Sequence, residues 1–180
     1  MPAKTSLAAL AALSAAAALT APAAAFELAS TTLRADGHFA AAQAYDHDGC
    51  GGANISPELH WSGAPAATRG YALTLFDPDA RGGRGWWHWL VIDLPPTLHG
   101  LAEGAALPAG ALAWRNSFGA AGYGGPCPPR GDAPHHYVLT LYALRTAAVR
   151  PPPAADAAQV AALLQAEALA STRLVGRYAR

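Results

Sequence analysis

Three runs of this chain repeat with a period of two and are fenced by glycine and proline: GYALTLFD (residues 70–77), WWHWLVIDLP (86–95) and HHYVLTLYAL (135–144). In a strand, successive side chains point to opposite faces, so a period of two commits each run to a sheet. The first sets Tyr71, Leu73, Leu75 and Asp77 on one side and Ala72, Thr74 and Phe76 on the other. The third separates His135, Tyr137, Leu139 and Leu141 from His136, Val138, Thr140 and Tyr142. The middle run is apolar almost throughout, as in a strand covered on both faces, and stops at Pro95–Pro96. Its alternation groups His88 with Leu90 and Ile92. Turns rather than regular helices separate the runs, which favours an antiparallel sandwich over a parallel α/β sheet.

The flanks are less regular. FELASTTLRADGHFAAAQAYDHDG (26–49) predicts one or two short strands with a turn at Asp36–Gly37, and GANISPELHW is loop-like as far as Leu59. After Pro151–Pro153, apolar residues Val160, Leu163, Leu164 and Leu169 recur at helical spacing. They predict a helix from about Ala157 to Ala170, capped near Asp156, and a short closing strand. That tail is too short to bury a core of its own, so residues 26–180 form a single domain. The first 25 residues have an early Lys4, an Ala/Leu-rich run from Leu7 to Leu19 and small residues at Ala23–Ala25. This is the pattern of a secretory signal peptide; the competing reading is an amphipathic or spanning helix, for which the run is short and interrupted by Pro22. The mature protein is then periplasmic or secreted, with no transmembrane segment once the signal is removed.

Twelve basic and twelve acidic residues give zero formal net charge, with no basic block to meet a nucleic acid or an anionic membrane surface. The two cysteines, Cys50 and Cys127, lie in glycine-rich loops. An even count in an exported chain points to a disulfide, whereas a reducing compartment would leave two free thiols. Neither has a second cysteine at metal-knuckle spacing.

Chemistry-bearing residues fall at strand ends. Asp77 closes one strand, His88 lies near the start of the next, and His135 opens the third, so one rim could gather all three. Each alone has an ordinary structural role: a core histidine bonded to a backbone carbonyl, or carboxylates at Asp77 and Asp79 bonding the local backbone of a turn. The loop SFGAAGYGGPCPPRGDAP (117–134) tips the balance toward a site, because Gly122, Gly124 and Gly125 allow backbone N–H groups close to a ligand and the prolines stiffen the loop. With Trp86 and Trp87 as an apolar wall, the set suits a small anion such as phosphate or a carboxylate.

NISPELHW, DPDA…WWHWLVIDLP and GYGGPCPPRG…HHYVLTLYAL resemble the signature blocks of the phosphatidylethanolamine-binding protein family, in its bacterial Raf kinase inhibitor-like branch. The resemblance runs from about Asn54 through Leu144. It implies a mainly β fold, two antiparallel sheets in a Greek-key-like sandwich with a few peripheral helices. It also implies a small anion pocket for phosphate or a phospholipid head group, made by Asp77, Asp79, Trp86, His88, Gly125, Pro126, His135 and Tyr137. His136 stands where relatives often carry Arg, and Tyr178 lies in a closing segment that could approach the site. Such a protein could also inhibit or modulate a partner kinase or protease.

Two functions follow. In the first, the protein binds a small anion by hydrogen bonds, with no covalent step and no cofactor. In the second it is a hydrolase or other enzyme, using the Asp77/His88/His135 set as acid and base or as a two-His, one-carboxylate metal set. The chain has no Gly-x-Ser-x-Gly elbow, and Ser56 and Ser117 sit in ordinary loop contexts. No two histidines have the i, i+4 spacing of a helical metal site, so binding is the expected activity and no metal is called for.

Overall fold

In a computed structural model that describes residues 25–34 and 36–180, the three period-two runs become β3 (Gly70–Asp77), β4 (Trp86–Leu94) and β7 (His135–Leu144). The signal-peptide expectation falls on residues outside this range, apart from Ala25. Remaining elements are β1 (Glu27–Ala29), a 3-10 turn at Ala41–Gln43, β2 (Leu59–Ser62), the single turn α1 (Ala80–Gly83), β5 (Gly100–Leu101), β6 (Leu112–Ala113), α2 (Ala157–Glu167) and β8 (Ala168–Tyr178). They form two antiparallel sheets, a five-stranded one in the order β6-β4-β3-β7-β8 and a three-stranded one in the order β1-β2-β5. No helix among the described residues is long and apolar enough to cross a membrane.

The large sheet is covered on both sides, which is why its central strands read as apolar on both faces. Tyr71, Leu73, Leu75, Tyr137, Leu139 and Leu141 meet Leu59, Trp61 and Leu101 of the small sheet. On the reverse, Ala72, Leu90, Ile92, Tyr142 and Leu144 meet Val160 and Leu164 of α2. Burying an aliphatic side chain of this size contributes about 1.5–3 kcal/mol, and Leu164 alone among the helix's leucines is fully buried.

Helix α2 starts as the sequence predicts. Asp156 takes the N–H of Gln159 and the Gln159 side chain returns to the N–H of Asp156, closing a capping box. It ends at Glu167 rather than near Ala170, so Leu169 belongs to β8 and is largely exposed. The ladder from β8 to β7 begins at Ala168 opposite Leu144, and Arg145 holds the Glu167 and Ala168 carbonyls through its backbone and guanidinium. Alanine favours helix, yet here the pairing of two long strands outweighs it. The N-terminal flank yields one strand, β1, followed by a turn at Gly37 (φ +79°) and a bridge from His38 to Arg177.

Strand β4 departs from the alternation in its sequence. Leu75 pairs with Trp89 while Phe76 pairs with Trp87, so His88 is an extra residue, a β-bulge. Two consecutive side chains, His88 and Trp89, therefore face the small-sheet side, and His88 is parted from Leu90 and Ile92, which face α2. The expected grouping of His88 with those two residues is thus corrected by one inserted residue.

Candidate functional site

At the rim where β3 ends and β4 and β7 begin, a cavity of about 380 Å³ is lined by Asp77, Arg81, Trp86, His88, His135 and Tyr137, with Phe118, Arg180 and the Cys127–Pro129 segment closing it. The pairing brings these side chains together: Asp77 lies opposite Trp86 across the β3–β4 ladder, and His135 and Tyr137 project from alternate positions of β7.

Asp77 is buried and accepts three hydrogen bonds. Its Oδ1 accepts the N–H groups of Asp79 (2.8 Å) and Ala80 (3.1 Å), and its Oδ2 accepts the Nδ1–H of His135 at 2.8 Å. The same carboxylate therefore starts the turn after β3 and orients an imidazole, combining the turn role with a site role. His135 Nε2 lies 3.5 Å from Asp132 at the rim.

His88 donates its Nδ1–H to two carbonyls, Gly124 at 2.7 Å and Gly125 at 3.1 Å, since a carbonyl oxygen can only accept. Its ring is held edge-on between Tyr137 and Phe118. Burial drives its pKa down to about 4, against the smaller opposing pull of the Gly124 carbonyl and the Asp77 charge. The neutral ring is thus both a core histidine satisfied by backbone carbonyls and a wall of the cavity. The buried Tyr137 hydroxyl lies near Asp77 and the Cys127 backbone but makes no well-formed hydrogen bond among the described residues, and the buried indole N–H of Trp86 likewise makes none. Burial, and then the Asp77 charge, push the Tyr137 hydroxyl far above its ordinary pKa, so it remains an O–H.

The glycine loop does a different job from the one expected. Gly124 N–H is taken by the His88 carbonyl and Gly125 N–H by Asn54 Oδ1 at 2.7 Å, so neither is offered to a ligand. Gly125 and Pro126 lie behind His88, outside the lining, with the Pro126 carbonyl held by the N–H of Tyr45. A Cβ on Gly125 would sit 2.1 Å from the Gln43 carbonyl oxygen, so a close backbone approach, and not a ligand, accounts for this glycine. Trp87 is also outside: it turns to the opposite face and packs on Phe76. Asp79 points outward and accepts both the N–H and the Nδ1–H of exposed His136, which hold its pKa below the ordinary carboxylate range. Tyr178 pairs with His135 in the ladder without lining the cavity.

Four contributors lie outside the expected set of site residues. Arg81 lies with its guanidinium 4.0 Å over the Trp86 ring, in a left-handed backbone conformation (φ +53°). Arg180 is anchored on the carbonyls of Pro128 and Gly49. Phe118 stacks on Tyr45 and meets Trp86 edge-on. Asn54, also at positive φ, fixes the glycine loop through Gly125 and Tyr123. The Asn in NISPELHW was visible as part of a motif; nothing local announced the others. Cys50 and Cys127 form a disulfide with Cα atoms 5.6 Å apart, placing Cys127 in the cavity wall.

The family model for phosphatidylethanolamine-binding protein matches residues 29–179. The chain belongs to the phosphatidylethanolamine-binding protein family. It is 40% identical over 164 residues to YbcL of Escherichia coli K12, covering 88% of this chain and 90% of that protein. The crystal structure of E. coli YbcL, described as a new member of the mammalian family, superposes with a TM-score of 0.81 at 38% identity, over 87% of this chain and 99% of the other. YbhB of E. coli K12 is 38% identical over 135 residues, 72% of this chain and 85% of that one. A Mycobacterium tuberculosis protein named lipoprotein LppC is 43% identical over 129 residues, covering 72% of this chain and 62% of its own length. Membership supports small-ligand binding in general terms and the two-sheet fold in particular.

Proposed function

We propose that the cavity binds a small oxyanion, phosphate or a phosphate-bearing head group, by hydrogen bonds alone. The observation that carries this reading is the Tyr137 hydroxyl, which is buried, uncharged and beside the Asp77 carboxylate and the Cys127 backbone without a well-formed hydrogen bond to any described residue. A buried donor left unpaired costs about 1–3 kcal/mol, a cost a bound acceptor removes. Trp86 Nε1–H adds a second unpaired donor, and the guanidinium groups of Arg81 and Arg180 add positive charge at the mouth. The Asp77 carboxylate orients His135, and among the described residues the cavity lining holds no serine and a cysteine only in its disulfide, which favours binding over hydrolysis.

The same reading puts the protein in an oxidising compartment, periplasmic or secreted. The Cys50–Cys127 disulfide and the similarity to lipoprotein LppC support that location.

Tyr137→Phe tests the reading. Phosphate is expected to raise the melting temperature of the wild-type protein, since a ligand that binds only the folded state adds stability. The variant is expected to fold with equal or greater stability without phosphate, and to bind it about tenfold more weakly, the loss of one good hydrogen bond. No phosphate-dependent shift in the wild type, or undiminished binding by Tyr137→Phe, would overturn it.

A further inference from the structure

We infer that the cavity selects oxyanions that still carry a proton, hydrogen phosphate and phosphomonoesters, over sulfate and phosphodiesters. The inference rests on the small-anion reading above and adds to it the identity of the one group the ligand must offer.

The argument starts from His88. Its Nδ1 is committed as a donor to the Gly124 and Gly125 carbonyls, so in the neutral ring Nε2 is a bare lone pair. Nε2 makes no hydrogen bond to any described residue, and the ring lines the cavity. A ring flip would set a C–H against both carbonyls, and Tyr137 and Phe118 clasp the ring edge-on. The depressed pKa of His88 keeps that lone pair unprotonated near neutral pH.

The other groups around the cavity divide by sign. Donors or cations are Tyr137 O–H, Trp86 N–H, Arg81 and Arg180, while His135 spends its Nδ1–H on Asp77 and turns Nε2 toward Asp132. Acceptors or anions are His88 Nε2, the Asp77 carboxylate, Asp48 and, next to His135, Asp132. Asp77 already accepts three N–H groups and His135 turns its Nε2 toward Asp132, so the acceptor of the wall that meets no described group is His88 Nε2. An anion composed only of acceptor oxygens sets lone pair against lone pair there. Hydrogen phosphate has the size and charge of sulfate but can turn its O–H onto Nε2 while its remaining oxygens take the donors. A phosphodiester has lost that O–H to esterification. Sites built around one hydrogen bond reject ligands lacking its partner far more strongly than sites built on shape alone.

Calorimetric titrations of the intact protein with phosphate, methyl phosphate, sulfate and dimethyl phosphate, at matched ionic strength and about pH 6, where a monoester retains much of its proton, separate these cases. Phosphate and methyl phosphate are expected to bind at least tenfold more tightly than sulfate and dimethyl phosphate. In His88→Asn, which keeps an amide N–H for the loop carbonyls and removes the acceptor at the Nε2 position, the preference is expected to fall below about threefold. Equal affinities for phosphate and sulfate in the wild type would overturn this inference and leave the small-anion reading standing, whereas no binding by any of the four would remove both. Nitrogen-15 imidazole spectra of the wild-type protein give a check that needs no variant: the Nδ1–H tautomer of His88 is expected at the same pH, and an Nε2–H tautomer or an imidazolium would overturn the proposal.

Discussion

Acidification is expected to weaken the fold in a window that belongs to His88. The side chain has a folded pKa of about 4 against 6.5 in the absence of the fold, because the buried ring resists charge. Between those values the unfolded chain binds a proton that the folded chain refuses, so stability rises with pH across the window and is lost as pH falls from about 6.5 to about 4. A shift of that size is worth about 3 kcal/mol at about 1.4 kcal/mol per pKa unit. This is a large share of the stability of a domain this size. Carboxylates held low by hydrogen bonds, such as Asp79 and Glu58, lose their contribution only below about pH 4.5, so their effect touches only the acid end of this window. Urea unfolding between about pH 7 and pH 4, on the wild type and His88→Asn, isolates the histidine. The variant is expected to start less stable and to fall less steeply, so that the gap closes by about 3 kcal/mol by the acid end. Parallel curves would refute the assignment of the titration to His88.

The disulfide closes a loop across a sequence separation of 77, which in the chain-entropy account contributes about 4 kcal/mol; Cys50→Ser with Cys127→Ser should lose most of that in urea melts, and equal midpoints with and without reductant would refute it. Gly125→Ala drives a methyl into the Gln43 and Ala44 backbone and should cost more than about 2 kcal/mol while loosening the seat of His88; a neutral substitution in thermal melts would show that the loop yields freely.

What the sequence made legible, and what it hid, follows from the range of each signal. Strands β3 and β7 were readable because nothing interrupts their alternation until the last pair of β7, and Asp77, His135 and Tyr137 fall on the expected face. The orientation of His88 was misread because a bulge is decided by the partner strand, and a run as uniformly apolar as WWHWLVIDL carries no mark of the extra residue. Trp86 and Trp87 look interchangeable in sequence, yet alternation gives one to the cavity and the other to Phe76. The glycine loop was recognised as special for the wrong reason: its close approach is to the chain's own backbone at Gln43 and Ala44, and its carbonyls, not its N–H groups, serve the site. Arg81 and Arg180 were invisible because cation contacts across separate loops leave no local pattern. The end of α2 was misplaced because a tertiary ladder overrode alanine's local preference.

The bulge at His88 also makes β4 sensitive to length in a way that composition alone would never show. Upstream of it the strand is phased for the cavity, and downstream for the two cores. Removing or adding one residue between Trp86 and Leu90 would leave hydrophobicity nearly unchanged while exchanging which side chains reach the rim. An imidazole would then be offered to the helix side and an indole or an isobutyl group to the ligand. A one-residue change of length in this stretch is therefore expected to cost the site its chemistry even where the residues written side by side look alike.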